Sequence, residues 1–179
     1  MKKEIDSLLA ANTNTNTDTE RSFQRSVVLS EAKNAFVLNS SWTQHGPSHW
    51  LQVEKNAVML GEHTPGCDME VARLFALLHD CRRQNEGRDP DHGARAADFA
   101  QELFDKGMLR LDPGRLAVLK YAMTHHNNGQ VSDDPTIGIC WDADRLDLPR
   151  VGTAPNISLM SNQYAKKWLR LHSAKTFRG

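Results

Sequence analysis

Leu74-Phe75-Ala76-Leu77-Leu78-His79-Asp80 runs an apolar segment directly into an imidazole and a carboxylate. A His-Asp pair alone carries little weight, because chance produces it in many chains and a helix end or a hydrogen bond explains it equally well. Its surroundings decide the reading. His49 precedes it, and Trp141-Asp142-Ala143-Asp144-Arg145-Leu146-Asp147 follows it, setting acids inside an otherwise apolar helix. Taken together, the order His, then His-Asp, then Asp has the ingredients of a metal site.

The apolar spacing around these residues is almost entirely helical, with no period-two run long enough for a convincing strand, so the fold class expected is all-α. Pro47 sits near the start of a helix running to about Gly61, and Asp68 can cap the helix that holds Leu74 and Leu78. Asp89-Pro90, Asp112-Pro113 and Asp134-Pro135 each pair a capping carboxylate with a proline suited to the first helical position. Gly61, Gly107 and Gly129 lie where helices should stop.

Helical arithmetic then selects among the acids. Ile137, Trp141 and Leu148 form a stripe that includes Asp144, so this carboxylate faces the core and needs a cation or strong donors. Asp142 lies about 200° away around the helix, at about 100° per residue, and points to the opposite side. His92 shares a line with Ala96, Phe99 and Leu103, and His49 with Val53 and Leu60, so both imidazoles look inward.

Length and charge bound the function. At 179 residues the chain fits one domain. Its 22 basic and 22 acidic side chains cancel, which argues against strong nucleic-acid binding or an anionic membrane surface. Cys67, Cys81 and Cys140 are an odd number without framework spacing, Cys81 reading as a small buried hydrophobe. The first ten residues carry acids and too short an apolar run for a signal peptide, and no run approaches about 18 apolar residues. A cytoplasmic location without membrane contact is expected. Three stretches are expected: residues 1–20 as an N-terminal segment with a flexible joint at Asn12 to Thr19, residues 21–150 as the domain, and residues 151–179 as an extension packing on it, with Lys166-Lys167-Trp168-Leu169-Arg170 a terminal helix.

The placement of His49, His79-Asp80 and Asp144 resembles the HD-domain superfamily of metal-dependent phosphohydrolases, over roughly residues 45 to 150. The resemblance implies a compact helical bundle with the metal site at its centre, and an ion held by His49, His79, Asp80 and Asp144. His92 and the His125-His126 pair occur where some relatives supply ligands to a second ion, with Asp80 as the bridge. Of that pair, His125 matches the family position better, leaving His126 to meet the substrate. Periodicity is ambiguous, since His126 continues the Leu116, Leu119, Met123 stripe and His125 continues Val118 and Ala122.

An imidazole and carboxylate shell suits one or two divalent ions, Mn, Fe, Ni, Co, Zn or Mg. Such an ion lowers the pKa of bound water towards about 7 and polarises a phosphoryl oxygen. Hydrolysis of a small phosphomonoester or phosphodiester, a nucleotide among the candidates, follows from that chemistry. Asp80, Arg83 and His126 are the candidate catalytic residues, and Arg82, Arg83 and Arg145 are candidates to grip phosphate through their planar forks. Arg83 stands where one branch of the family has a glutamate and another a lysine, and His125-His126-Asn127-Asn128-Gly129-Gln130 lacks the Gly-Tyr-Pro signature of the latter. The likeness is greatest to bacterial HD proteins outside both branches.

Two other functions fit the same residues, a di-iron oxygenase using all six ligand positions and a non-catalytic nucleotide-binding regulatory module. The tail is compatible with self-association into a homo-oligomer. His45, His63 and His172 read as surface residues, and Trp42, Trp50, Trp141 and Trp168 as core or lid packing.

Overall fold

The computed structural model describes residues 2–39 and 41–176, with side chains from residue 19 to residue 172. The flexible joint expected at Asn12 to Thr19 lies, Thr19 apart, outside the residues described with their side chains. Among the described residues the chain is all-α, with helices α1 (Lys2–Ala35), α2 (Pro47–Gly61), α3 (Met69–Leu78), α4 (His92–Asp105), α5 (Pro113–His125), α6 (Pro135–Arg145) and α7 (Gln163–Thr176). Short 3-10 turns lie at Leu148–Val151 and Ile157–Leu159. No helix among the described residues is long and apolar enough to cross a membrane.

The centre of the bundle is α3. Val71, Ala72 and the run from Leu74 to Leu78 are all buried, so that apart from the exposed Arg73 and the first turn the helix is enclosed by its neighbours. It packs against α1, α2, α5 and α6. Burying a leucine or phenylalanine side chain is worth about 1.5–3 kcal/mol, so the segment that ends in His79-Asp80 is also the one the core holds most firmly.

Capping residues pin the other helices to it. Asp68 accepts from the N–H groups of Glu70 and Val71 and takes two bonds from Arg115 on α5, at 2.5 and 2.8 Å. The backbone N–H of Asp68 donates to Thr136 Oγ1 at 2.9 Å, tying the start of α3 to the start of α6. Asp112 and Asp134 cap α5 and α6 as their Asp-Pro pairs imply. Asp89-Pro90 differs: α4 begins only at His92, and Asp91 at its start makes no side-chain cap. The Asp89 carboxylate instead receives Arg95 and the Gln84 N–H, bracing the loop before the helix.

Asp142 does point away from Asp144, and it is fully buried. Its two oxygens accept from the backbone N–H groups of Ser161, at 2.8 Å, and Asn162, at 2.7 Å, just ahead of α7. Burial pushes its carboxyl up to about 6 against the pull of those two donors. Helix α7 then adds Ala165 and Leu169 to the common core. Trp50 and Trp141 are buried with their ring N–H groups bonded to the carbonyls of His45 and Ala122. Trp42 departs from the packing role expected of it, being 85% exposed on the loop between α1 and α2.

Helices α4 and α5 come into close backbone contact at Gly93. A Cβ there would sit 2.2 Å from the Met123 carbonyl oxygen of α5 and 3.2 Å from the His126 ring. Only glycine lets α4 and α5 approach this closely. Gly93→Ala should therefore cost about 1–3 kcal/mol in a denaturant titration, the usual range for overpacking, and should separate His92 from His126.

Candidate metal centre

Six side chains from five helices and their ends converge on one point. His49 comes from α2, His79 and Asp80 from the end of α3, His92 from the first turn of α4, His126 from the end of α5, and Asp144 from α6. His49 Nε2 lies 3.1 Å from His79 Nε2 and 3.2 Å from Asp144 Oδ1. His92 Nε2 lies 2.8 Å from His126 Nε2 and 3.0 Å from Asp80 Oδ1. Asp80 stands between the two imidazole pairs. Its Oδ2 is 3.7 Å from His49 and 3.8 Å from His79, while its Oδ1 faces His92 and His126.

The outer edge of each ring fixes where its proton is. A carbonyl oxygen can only accept, so Nδ1 of His79 donates to Ala76, that of His92 to Asp89 and that of His126 to Met123. His49 Nδ1 donates to Asp147 Oδ2 at 2.7 Å. A neutral imidazole has one N–H, and here it is already used, so four Nε2 lone pairs point at one another and at two carboxylates. In that neutral form six Lewis bases face one another, a repulsion that a proton on His49 or a cation between them relieves, and oxygen with imidazole nitrogen suits a divalent metal. The backbone and carboxylate partners behind the rings are the orienting contacts such ligands use.

The ionisation of the cluster agrees. Although burial opposes it, the Asp80 carboxyl is held well below the usual range by His79, His45 and His92. Asp144 is likewise held low against burial by His49 and His79. Burial also opposes charge on His49, but Asp144 and Asp147 raise it to about 9. His126 goes down to about 4, through burial and then the neighbouring His79. Three sets of ligand atoms, each within 4.8 Å of one another, could hold an ion: His49, His79 and Asp80; His79, His126 and Asp144; and Asp80, His92 and His126.

Several expected residues stand elsewhere. His125 turns away from the cluster, its ring against Tyr121 and its Nδ1 3.1 Å from the Asn128 amide nitrogen. The apolar stripe of α5 carries His126 inward instead, so the residue expected to meet substrate takes the position expected of the ligand. Arg82 donates to the Ala35 carbonyl and lies over Phe99, and Arg145 donates to the Leu159 carbonyl beside Trp141, so neither reaches the cluster. Arg83 alone of the three arginines is present, its NH1 3.9 Å from Asp80 Oδ1.

Two residues at the site were not singled out from sequence. His45, expected at the surface, brings Nδ1 to 3.0 Å from Asp80 Oδ2. It lies before Pro47, outside any helix, where periodicity gives no direction. Asp147 is the partner of His49, and its position one helical turn beyond Asp144 was an available signal.

The chain belongs to the HD-domain family. The family's sequence model, described as the HD domain, matches residues 48–148. Among solved structures, the crystal structure of a predicted HD superfamily hydrolase from an uncultured Thermotogales bacterium is similar, with 26% identity and a TM-score of 0.62. The match covers 82% of this chain and 83% of that one. No protein of curated function matches the sequence.

Two measurements check the geometry. His126→Ala should lower the metal content of the purified protein in elemental analysis, and His125→Ala should leave it unchanged. Because His49 is charged below about 9 and must lose its proton to ligate, Mn²⁺ binding at pH 7.5 should release about one proton, and binding should weaken as pH falls. Calorimetry in buffers of different ionisation enthalpy reads that number.

Proposed function

We propose that the protein is a metal-dependent phosphohydrolase acting on a small phosphomonoester or phosphodiester such as a nucleotide. One observation carries the reading: Asp80 offers one oxygen to each of two imidazole pairs whose Nε2 atoms face it. In this reading His49, His79, Asp80 and Asp144 hold one ion, and Asp80, His92 and His126 hold a second. A divalent metal bound there supplies Lewis acidity towards a phosphoryl oxygen and acidifies water.

The remaining roles belong to the chain. Arg83 presents a guanidinium beside Asp80, placed to bind an anionic phosphoryl oxygen. His45 keeps a proton at Nδ1 against Asp80 Oδ2 and so orients that carboxylate. Asp147 and the carbonyls of Ala76, Asp89 and Met123 hold the rings in the one tautomer that leaves Nε2 free. In the hydrolysis, a water oxygen bonds to phosphorus, the ester P–O bond breaks, and the leaving oxygen takes up a proton.

The test is a phosphoester panel on protein stripped and reloaded with Mn, Fe, Co, Ni, Zn or Mg. Release of phosphate or nucleoside monophosphate should need metal and fall to background in Asp80→Ala. Arg83→Ala should lower kcat/KM by about 10–100-fold, as expected for one charge-assisted hydrogen bond. Silence across the panel with every metal sinks the proposal. The six inward ligand positions also favour a second reading, a di-iron oxygenase. Substrate-dependent oxygen uptake by iron-loaded protein supports it, and full anaerobic activity with Mn or Mg excludes it.

A further inference from the structure

Beside the cluster, on the far side of Arg83, lies a cavity of about 390 Å³ lined by Arg83, Gly87, Arg88, Asp89, Pro90, His92, Asn127 and Asn128. It shares Arg83 and His92 with the metal centre, yet nothing in the hydrolytic reading uses the rest of it. We propose that this cavity holds a second phosphate of the substrate, so that the substrate carries two phosphate groups, one at the metal centre and one between Arg83 and Arg88. The proposal rests on the phosphohydrolase reading of the cluster.

The positive charge in the cavity is only partly balanced: Arg83 NH1 lies 3.9 Å from Asp80 Oδ1, beyond hydrogen-bond reach. Asp89 is the acid in the lining, and Arg95, with both contacts at 2.6 Å, and the Gln84 N–H, at 2.8 Å, already engage its carboxylate. Arg88 is exposed and has no carboxylate partner among the described residues. Arg83 is the more telling residue. Its side chain is only 9% exposed, its NH2 donates to the Gly87 carbonyl, and its Nε is buried with no hydrogen-bond partner. Its NH1 lies 3.4 Å from His92 Nδ1, but that nitrogen's proton is committed to the Asp89 carbonyl, so it offers no acceptor. A guanidinium this buried with donors to spare calls for an anion.

The backbone adds to this. The start of α4 lies in the lining, at Asp89, Pro90 and His92, and Asp91 leaves its first-turn N–H groups without a side-chain cap. Uncapped N–H groups at a helix start favour a bound anion. The amides of Asn127 and Asn128 complete a polar wall. Apart from His92 the lining has no aromatic residue on which a base could stack, and about 390 Å³ is near the lower end of small-molecule pockets, about 300–1,000 Å³. The two arginines, the helix start and the lack of a stacking ring apart from His92 favour a phosphate here over a nucleobase.

Binding of methylene diphosphonate and of methylphosphonate to the full chain, both Mn-loaded and metal-stripped, tests the assignment by calorimetry. Arg88 is exposed, so replacing it spares the core. Arg88→Ala should weaken the diphosphonate at least about 10-fold and methylphosphonate less than about 2-fold, the loss of one charge-assisted contact made only by the second phosphorus. If the ratio of the two affinities is unchanged in Arg88→Ala, or the diphosphonate binds neither sample, the proposal is overturned. The metal-stripped sample reads the cavity by itself, so a failure of the metal-centre reading stays distinguishable from a failure of this one.

Discussion

The molecule is arranged around four ring nitrogens turned towards one another and towards two carboxylates, a cluster that needs positive charge within it. His49 and His79 face each other, as do His92 and His126, and Asp80 joins the pairs through its two oxygens. Each ring is fixed from behind by a carbonyl or a carboxylate. Ala76 and Met123 stand one helical turn before His79 and His126, Asp89 lies in the loop ahead of α4, and Asp147 reaches His49 from beyond the end of α6. The positions of the helices therefore determine the tautomers, and the tautomers determine what the cluster can bind.

The fold was legible because its governing signals are local. The uninterrupted apolar run ahead of His79 marks α3 as the enclosed helix, and the Asp-Pro pairs at Asp112 and Asp134 start α5 and α6 where expected. The pair at Asp89 misled for a physical reason: its carboxylate is drawn into a bond with Arg95, and the helix begins three residues later. Inward-facing His49, His92 and Asp144 were readable for the same reason as the core leucines, since each shares their helical face.

Direction at the ends of helices was not legible in that way. His125 and His126 lie in the last turn of α5 and just beyond it, where the two stripes compete, and only packing against α4 at Gly93 determines which ring enters. Arg145 follows Asp144 on α6, where adjacent residues diverge by about 100°, Arg82 lies in the turn beyond α3, and both are captured by carbonyls elsewhere. His45 belongs to a loop outside any helix, and its ring meets Asp80, 35 residues further along the chain, a contact that no short window of sequence contains.

Asp142 gives the C-terminal segment a part in the chemistry. Two residues from Asp144 on the same short helix, it is buried and held by the N–H groups of Ser161 and Asn162. Undocking of that segment would strand the carboxylate in the core and disturb the helix that presents Asp144. Docking of the tail and order at the centre are thus thermodynamically linked, and linkage is reciprocal. Whatever ion the centre binds also tightens the grip on α7, and a chain shortened before Ser161 would lose affinity for a ligand that its missing residues never touch.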